Sequence, residues 1–208
     1  MQPDPNCQLC PRLAAHRDML RVREPCWFNA PVPSFGDPNG WLAIVGLAPG
    51  EKGANRTGRP FTGDFAGHLL YATLLELGLA KGAYGETPDD GLVLEGALIV
   101  NAVRCLPPQN KPEPAEIHQC RPFLADQLKA MPNLKVVLAL GQIAHQSAVK
   151  ALGGKLPKHP FGHAAVHRLH TGYTLVDSYH CSRYNQNTGR LTAQMFREAV
   201  ETAVRSRA

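Results

Sequence analysis

Four short runs of branched apolar residues, separated by longer stretches with helical periodicity, restrict the fold of this chain more than any other feature. The runs lie at residues 41–46, 96–101, 134–140 and 173–178. Runs of this length and composition predict β-strands buried on both faces. Apolar residues recur at helical spacing in four other stretches, which predicts helices at residues 64–77, 113–130, 141–152 and 188–204.

Alternation of strands and helices is typical of a mostly parallel sheet, because each helix carries the chain back to the end of the sheet where the next strand begins. We therefore predict an α/β fold, with three α/β/α layers around a central, mostly parallel, four-stranded sheet. The length of 208 residues suits one compact domain, which we expect to span residues 1–208.

Composition narrows the functional classes. Hydrophobic residues make up 44% of the chain, enough for a packed core, yet no apolar run is long enough to cross a membrane and no signal peptide is recognised. We therefore expect a cytoplasmic protein without a membrane partner. The formal net charge of +5 suits a polyanionic partner such as nucleic acid, although many basic proteins bind none.

The loops that follow the predicted strands are the expected ligand site, because ligands of open α/β sheets bind at the carboxyl ends of the strands. The loop after the fourth strand places His180 directly at a strand end. A lone strand-end histidine is more often structural than catalytic. Here Arg183 and Tyr184 follow it, and such residues can enter a groove or stack on bases.

Three motifs in these loops carry a family resemblance. They read GLAPG with NRTGRPFTGD, then NAVRC with PPQNKP, then SYH-x-S-x-x-N-x-NTGRLT, and PVPSFGDP and CxLCPRL fit as well. In this order, and over nearly the whole chain, they resemble the family 5, or type b, uracil-DNA glycosylases. The resemblance implies a monofunctional enzyme of base-excision repair. Such an enzyme flips out uracil, and other deaminated or modified bases such as hypoxanthine, and hydrolyses the N-glycosidic bond to leave an abasic site.

The resemblance also implies the partners and the cofactor. The expected partner is double-stranded DNA with damaged bases, single-stranded DNA remaining open, and the protein is expected to be a monomer in the bacterial or archaeal cytoplasm. The family holds a [4Fe-4S] cluster, whose ligands would be Cys7, Cys10, Cys105 and Cys120. Four thiolates at this spacing suit zinc equally well, so only the resemblance favours iron and sulfide.

By the same resemblance, Phe61 stacks on the flipped base and Asn101 pairs with N3–H and O4 of uracil. His180 donates a hydrogen bond to O2 of the leaving base, as a donor in an oxyanion hole does. Asn185 is a second catalytic residue of that loop. The remaining implied residues bind substrate (Gly46, Ala48 and Gly50) or DNA (Arg183 and Tyr184).

The attacking water is the least determined part of this mechanism, because Leu47 and Ala48 are apolar where related families carry a polar activator. Asp64 is the expected substitute, with Glu51 as a competitor. Gly50 stands where strictly uracil-specific glycosylases have a tyrosine, which predicts a broader range of bases. Cys181 replaces a proline that usually follows the histidine, which puts the rigidity of that loop in question.

Two alternatives stay open. One is a catalytically weak iron-sulfur protein of the same fold that binds nucleic acid without cleaving it. The other is an iron-sulfur electron carrier unrelated to DNA. A carrier does not require polar and aromatic residues to converge at the strand ends, whereas the first alternative shares every motif with the enzyme.

Overall fold

The computed structural model describes residues 2–207, so residues 1 and 208 of the expected domain lie outside the described part. Eight strands are present in that part: β1 (Phe35–Gly36), β2 (Leu42–Gly46), β3 (Ala80–Lys81), β4 (Val93–Leu94), β5 (Ala97–Asn101), β6 (Val136–Leu140), β7 (Val166–Arg168) and β8 (Thr174–Ser178). The helices are α1 (Pro11–Arg23), α2 (Ala54–Thr57), α3 (Phe65–Glu76), α4 (Pro114–Lys129), α5 (Gln142–Ala151), α6 (Arg183–Asn187) and α7 (Ala193–Arg205).

The main sheet has the strand order β1-β5-β2-β6-β8-β7. Its four central strands are parallel, and every residue in them is buried. They match the four predicted strands, so the α/β prediction is confirmed. The predicted number of strands was wrong, because β1 and β7 pair antiparallel at the two edges. These edge strands have only two and three residues, too few to give a hydrophobic pattern.

Helices cover both faces of the sheet. Alternate residues of each strand point to opposite faces, so Ile44 packs in the cluster that holds α3 and α7, and Val45 packs in the cluster that holds α4 and α5. A smaller third cluster joins Leu13 of α1 to Val103 and Cys120. The result is the three-layer arrangement predicted from the sequence, with α1 added at one end of the sheet.

Local chemistry fixes the helix ends near the strand termini. The side chain of Asp64 accepts a hydrogen bond from Gly67 N and caps α3. The helix predicted at residues 188–204 starts too early, since Gly189 adopts a φ of 69° and separates α6 from α7. Helix α1 was not predicted. Within residues 2–207, no helix has the length and apolar character needed to cross a membrane.

Candidate active site

A cavity of about 370 Å³ opens at the carboxyl ends of β2, β5 and β8. The parallel order of these strands brings three loops that are distant in sequence to one edge of the sheet. Seven predicted site residues line this cavity: Ala48, Gly50, Phe61, Asp64, Asn101, His180 and Arg183. It is also lined by Leu47, Ala54, Phe65, Ala66, Asn110 and Ser182.

One wall consists of Phe61 and Asn101, which lie close together because Gly46 has no side chain. A Cβ at Gly46 would collide with Asn101 Oδ1 and would lie 2.9 Å from Cζ of Phe61. Asn101 ends β5 and is only 3% exposed. Its Oδ1 is buried and has no hydrogen-bond partner in the part of the chain that the structure describes. A buried carbonyl oxygen of this kind requires a donor, which a ligand in the cavity can provide.

His180 also lines the cavity, with its ring centroid 5.9 Å from that of Phe61 and the two ring planes inclined by 29°. Burial lowers the pKa of His180 to about 4. Its imidazole is therefore neutral at physiological pH and carries one N–H donor. Such a group can stabilise negative charge that develops on a ligand without itself being charged.

Hydrogen bonds to the backbone hold the His180 loop in place. The amide of Asn185 donates to the carbonyl of His180 at 2.8 Å, and the amide of Gln186 donates to the carbonyl of Cys181 at 2.7 Å. Ser182 caps the short helix α6 that carries both amides. Asn185 is thus placed behind the loop and does not line the cavity, and these contacts fix the loop although Cys181 replaces proline.

Asp64 and Glu51 occupy different environments. Asp64 lines the cavity, and burial raises the pKa of its carboxyl group. Its Oδ1 accepts from Gly67 N at 3.1 Å, so Oδ2 remains on the side of Gly50, whose Cβ, if present, would lie 3.3 Å away. Glu51 is half-exposed, forms an ion pair with Arg23 and lines only an outer groove.

This outer groove continues the cavity toward the surface, since Gly50, Asp64, Phe65 and Asn110 line both. Arg183 also lines both, and its guanidinium lies 4.9 Å from the ring centroid of Phe65. Tyr184 is 72% exposed and lies outside the cavity. The mouth therefore presents the cation of Arg183 to any long ligand whose end enters the cavity, and the exposed ring of Tyr184 belongs to the next residue of the chain.

A second, smaller cavity contains all four cysteines of the predicted cluster, Cys7, Cys10, Cys105 and Cys120. Burial raises the pKa of Cys10 to about 11 and that of Cys105 to about 12, so a bound cation would have to displace their protons. The other two cysteines are separate from this group: Cys26 is exposed, and Cys181 packs in the core.

Two buried arginines flank the cysteine cavity. Arg104 lines it and is fully buried, and its backbone N–H donates to Sγ of Cys120 at 3.3 Å. Arg17 donates from Nη1 to the carbonyl of Cys7 at 2.9 Å. Each guanidinium has two further nitrogens without a hydrogen-bond partner within the described residues, although Arg17 Nε lies 3.6 Å from a carboxylate oxygen of Asp18. Buried cations of this kind favour an anionic neighbour.

Sequence reasoning missed two features. Asn110 lines both the cavity and the groove, and its motif PPQNKP gave no role for it. A buried network joins His145 and His167 to the carboxylate of Asp177 at 2.7 and 3.1 Å. The potential metal-ligand atoms of these three side chains all lie within 4.8 Å of one another. Within residues 2–207, no three of the cysteine sulfurs meet the same distance criterion.

Comparisons with known proteins agree with this geometry. The profile described as the uracil DNA glycosylase superfamily matches residues 33–203. A type-5 uracil-DNA glycosylase of Thermus thermophilus is 45% identical over 205 residues, covering 96% of this chain and 93% of that protein. Type-5 uracil-DNA glycosylases of Pyrobaculum aerophilum and Mycobacterium bovis are 38% and 41% identical, over 95% of this chain and 88% and 78% of theirs.

Proposed function

Because this chain belongs to the uracil DNA glycosylase superfamily, it is a hydrolase that excises uracil from DNA, and we propose that Phe61, Asn101 and His180 form its base-binding site. One observation carries this assignment: Asn101 lines the cavity, and its buried Oδ1 has no hydrogen-bond partner within the described residues. The N3–H of uracil is a donor that can satisfy it. The Asn101 amide nitrogen is then left to donate to O4 of the same base.

The recognition of uracil over cytosine follows from this amide. Cytosine has an acceptor at N3 and a donor at its exocyclic amine, so both of its groups would oppose those of Asn101. A site built to hydrogen-bond one pattern rejects the reverse pattern strongly, because buried polar groups are left unpaired. The ring of Phe61 provides the flat surface on which the base stacks.

Bond cleavage leaves negative charge on N1 and O2 of uracil and positive character on the sugar. In this proposal the neutral imidazole of His180 donates its N–H to O2 and stabilises the departing anion. Asn185 acts through the His180 carbonyl and so keeps the imidazole in position. Asn185 is therefore a positioning residue.

We assign the water to Asp64. Its carboxylate lines the cavity with one oxygen committed to the helix cap and the other on the side of Gly50. The second oxygen can accept a hydrogen bond from the attacking water, and its charge stabilises the sugar cation. Glu51 is unsuited to this role, because it lines only the outer groove and is paired with Arg23.

The cysteine cavity suits a [4Fe-4S] cluster held by Cys7, Cys10, Cys105 and Cys120. A zinc ion bound by four sulfurs at about 2.3 Å requires every pair of sulfurs to lie about 3.8 Å apart. No three of these sulfurs all lie within 4.8 Å of one another, so the four are not drawn together as a single zinc ion requires, and a cluster in which each sulfur binds a different iron is the better fit. The buried guanidinium groups of Arg104 and Arg17, the latter also in contact with Asp18, would offset the negative charge of the cluster. When bound, it would supply a cross-link between the N-terminal segment and the loop after β5.

The range of bases beyond uracil is a further part of the proposal. Gly50 lines the cavity, and its φ lies outside the left-handed region, so a larger residue is not excluded by the backbone. The absence of a side chain leaves room in the cavity for substituted bases such as 5-hydroxymethyluracil, and for hypoxanthine. We also propose that Arg183 and Tyr184 contact the DNA beside the flipped nucleotide.

A single-turnover assay on a duplex with one central uracil tests the function. Wild-type protein should produce alkali-labile abasic sites, while an Asn101→Ala variant should bind the same duplex and cleave it about a hundredfold more slowly. A matched control is Asn133→Ala, since Asn133 is an exposed residue whose amide donates to Asn39 O near the start of β6. Binding without cleavage by the wild type would instead identify the catalytically weak alternative.

A further inference from the structure

Phe61 has a backbone conformation that a phenylalanine rarely adopts. Its φ is +53°, in the left-handed region. A bulky residue held there costs on the order of 1–3 kcal/mol and persists only where the surroundings enforce it. The position of its ring depends on this conformation, because the neighbouring residues Pro60 and Thr62 are themselves buried and fixed.

Two tyrosine hydroxyls hold the backbone on either side of Phe61. Tyr71 of α3 donates to the carbonyl of Pro60 at 2.6 Å. Tyr84 donates to the carbonyl of Phe61 at 3.1 Å and accepts from Gly63 N at 3.3 Å. The two rings are themselves in contact, with centroids 4.7 Å apart. Three peptide groups that surround the strained residue thus have their partners in these two side chains.

Gly67 allows this arrangement. A Cβ at Gly67 would collide with the carbonyl oxygen of Phe61 and would lie 2.5 Å from the hydroxyl of Tyr84. The first turn of α3 therefore lies directly against the carbonyl that Tyr84 holds. The strained residue and the hydroxyl are packed together on the surface of this helix.

A buried ion pair fixes the segment that carries Tyr84. This segment connects β3 to β4, and its Asp90 accepts from Arg59 Nη1 and Nη2 at 2.8 and 2.6 Å. Both side chains are about 95% buried, with exposures of 5% and 4%. Asp90 also accepts from the backbone of Gly85 at 2.8 Å and so closes the turn beside Tyr84. The Arg59 hydrogen bonds hold the pKa of Asp90 well below its usual range.

Arg59 in turn belongs to the loop that carries Phe61. Its Nε donates to the hydroxyl of Thr62 at 2.7 Å, and its guanidinium lies 4.9 Å from the ring centroid of Phe35 and 5.6 Å from that of Tyr71. The ion pair therefore joins the β3–β4 segment to Arg59, two residues before Phe61, and through Arg59 to Thr62, the residue after it. We call Arg59, Tyr71, Tyr84 and Asp90 the Phe61 clamp.

We propose that Tyr84, held by the Arg59–Asp90 pair, is a positioning residue that fixes the Phe61 ring for stacking on the flipped base. The proposal rests on the function proposed above and extends it to the β3–β4 segment, which no site motif includes. None of the four clamp residues lines the base-binding cavity. It acts on the substrate only through Phe61, and so its effect should depend on the presence of both the base and that ring.

The test uses Tyr84→Phe, which removes one hydroxyl, and Tyr173→Phe as a matched control at the start of β8, at the opposite end of the sheet. Affinity is measured for two duplexes. One contains 2′-fluoro-2′-deoxyuridine, whose glycosidic bond resists cleavage, and the other contains a tetrahydrofuran abasic site, which has no base to stack. We expect Tyr84→Phe to bind the first about tenfold more weakly and the second unchanged, and Tyr173→Phe to match the wild type on both.

A double-mutant cycle with Phe61→Ala separates positioning from general stabilisation. If Tyr84 acts through the Phe61 ring, Tyr84→Phe causes no further loss in the Phe61→Ala background. Equal losses on both duplexes, or a full additional loss in that background, would overturn the proposal. Asp90→Asn provides a second variant, with a smaller loss confined to the uracil-containing duplex.

The same experiment keeps the two proposals apart. If Phe61→Ala weakens binding of the fluorinated duplex and Tyr84→Phe does not, the clamp is refuted and the base-binding site stands. If Phe61→Ala binds both duplexes as the wild type does, the assignment of Phe61 as the stacking surface is refuted, and the clamp with it.

Discussion

The replacement of Asp64 by asparagine separates the two roles that this side chain combines. Asp64 caps α3 through Gly67 and also lines the catalytic cavity. Asparagine caps a helix about as well as aspartate, so the hydrogen bond at 3.1 Å can be kept while the charge is lost. Any loss of activity in Asp64→Asn then reports on the charge and not on the cap.

The expected effect on stability is small and has a defined sign. Burial raises the pKa of Asp64, so this group destabilises the folded state progressively as the pH rises above its unfolded-state pKa, and fully once the pH exceeds its folded-state pKa. The substitution removes this penalty at neutral pH, whereas below the unfolded pKa both side chains are neutral and the advantage vanishes. At pH 7 the free energy of unfolding of Asp64→Asn should therefore not be lower than that of the wild type by more than the roughly 1 kcal/mol that a helix cap contributes.

The expected effect on catalysis is large. If the carboxylate orients the water and stabilises the sugar cation, its loss should slow single-turnover cleavage about a hundredfold, or about 2.7 kcal/mol in activation free energy. The matched variant Glu51→Gln should lose less than about twofold, because Glu51 is half-exposed and does not line the cavity.

The assay is a rapid-quench time course with enzyme in excess over a uracil-containing duplex, followed by alkaline strand cleavage and electrophoresis. Binding to a tetrahydrofuran abasic duplex and thermal melting confirm that each variant is folded. Asp64→Asn at the wild-type rate would refute the reasoning, and a slow Glu51→Gln would transfer the role to Glu51. Full activity in both variants would leave the water to the backbone groups of this loop.

Three further outcomes follow from the structure. Protein purified without oxygen should be brown, with four iron and four sulfide per chain. Cys105→Ser should abolish the colour and lower the melting temperature, whereas Cys26→Ser should do neither. Zinc in place of iron would contradict the assignment. His180→Ala should slow cleavage about a hundredfold with little change in DNA affinity. In the wild type, the lowered pKa of His180 keeps its imidazole neutral above a pH of about 4. Protonation of His180 should therefore slow wild-type cleavage only as the pH falls toward that value. Gly50→Tyr should retain activity on uracil and lose activity on 5-hydroxymethyluracil, which a comparison of single-turnover rates on the two duplexes would reveal.

The periodicity of the sequence predicted the elements that position the site. The four central strands are five residues long and buried on both faces, so their branched residues form runs that a sequence displays directly. Residues at the ends of these strands, such as Asn101 and His180, were therefore assigned to one edge of the sheet correctly. The edge strands have too few residues to form a pattern, and the buried residues of helix α1 include the charged Arg17 among only three apolar ones, Leu13, Ala14 and Leu20.

The parts of the site that escaped prediction depend on contacts between residues distant in the sequence. Nothing in the sequence indicates that Phe61 has a positive φ, because the hydroxyls that enforce it belong to Tyr71 and Tyr84. Asn185 was assigned to catalysis because it lies in a motif beside His180, whereas its amide reaches the carbonyl behind that residue. A motif conveys which residues belong together, and the direction of each side chain follows only from the packed structure.

The cysteine cavity has a consequence for biosynthesis. Cys7 and Cys10 precede the first strand of the sheet, whereas Cys105 and Cys120 follow β5. On the ribosome, the first pair emerges long before the second, and no four-sulfur site exists until β5 and the first half of α4 have been translated. The four cysteines can therefore meet only once β2 and β5 are both available to pair. If they hold the proposed cluster, its loading follows the synthesis of β5, which carries Asn101, and does not require β8, which precedes His180.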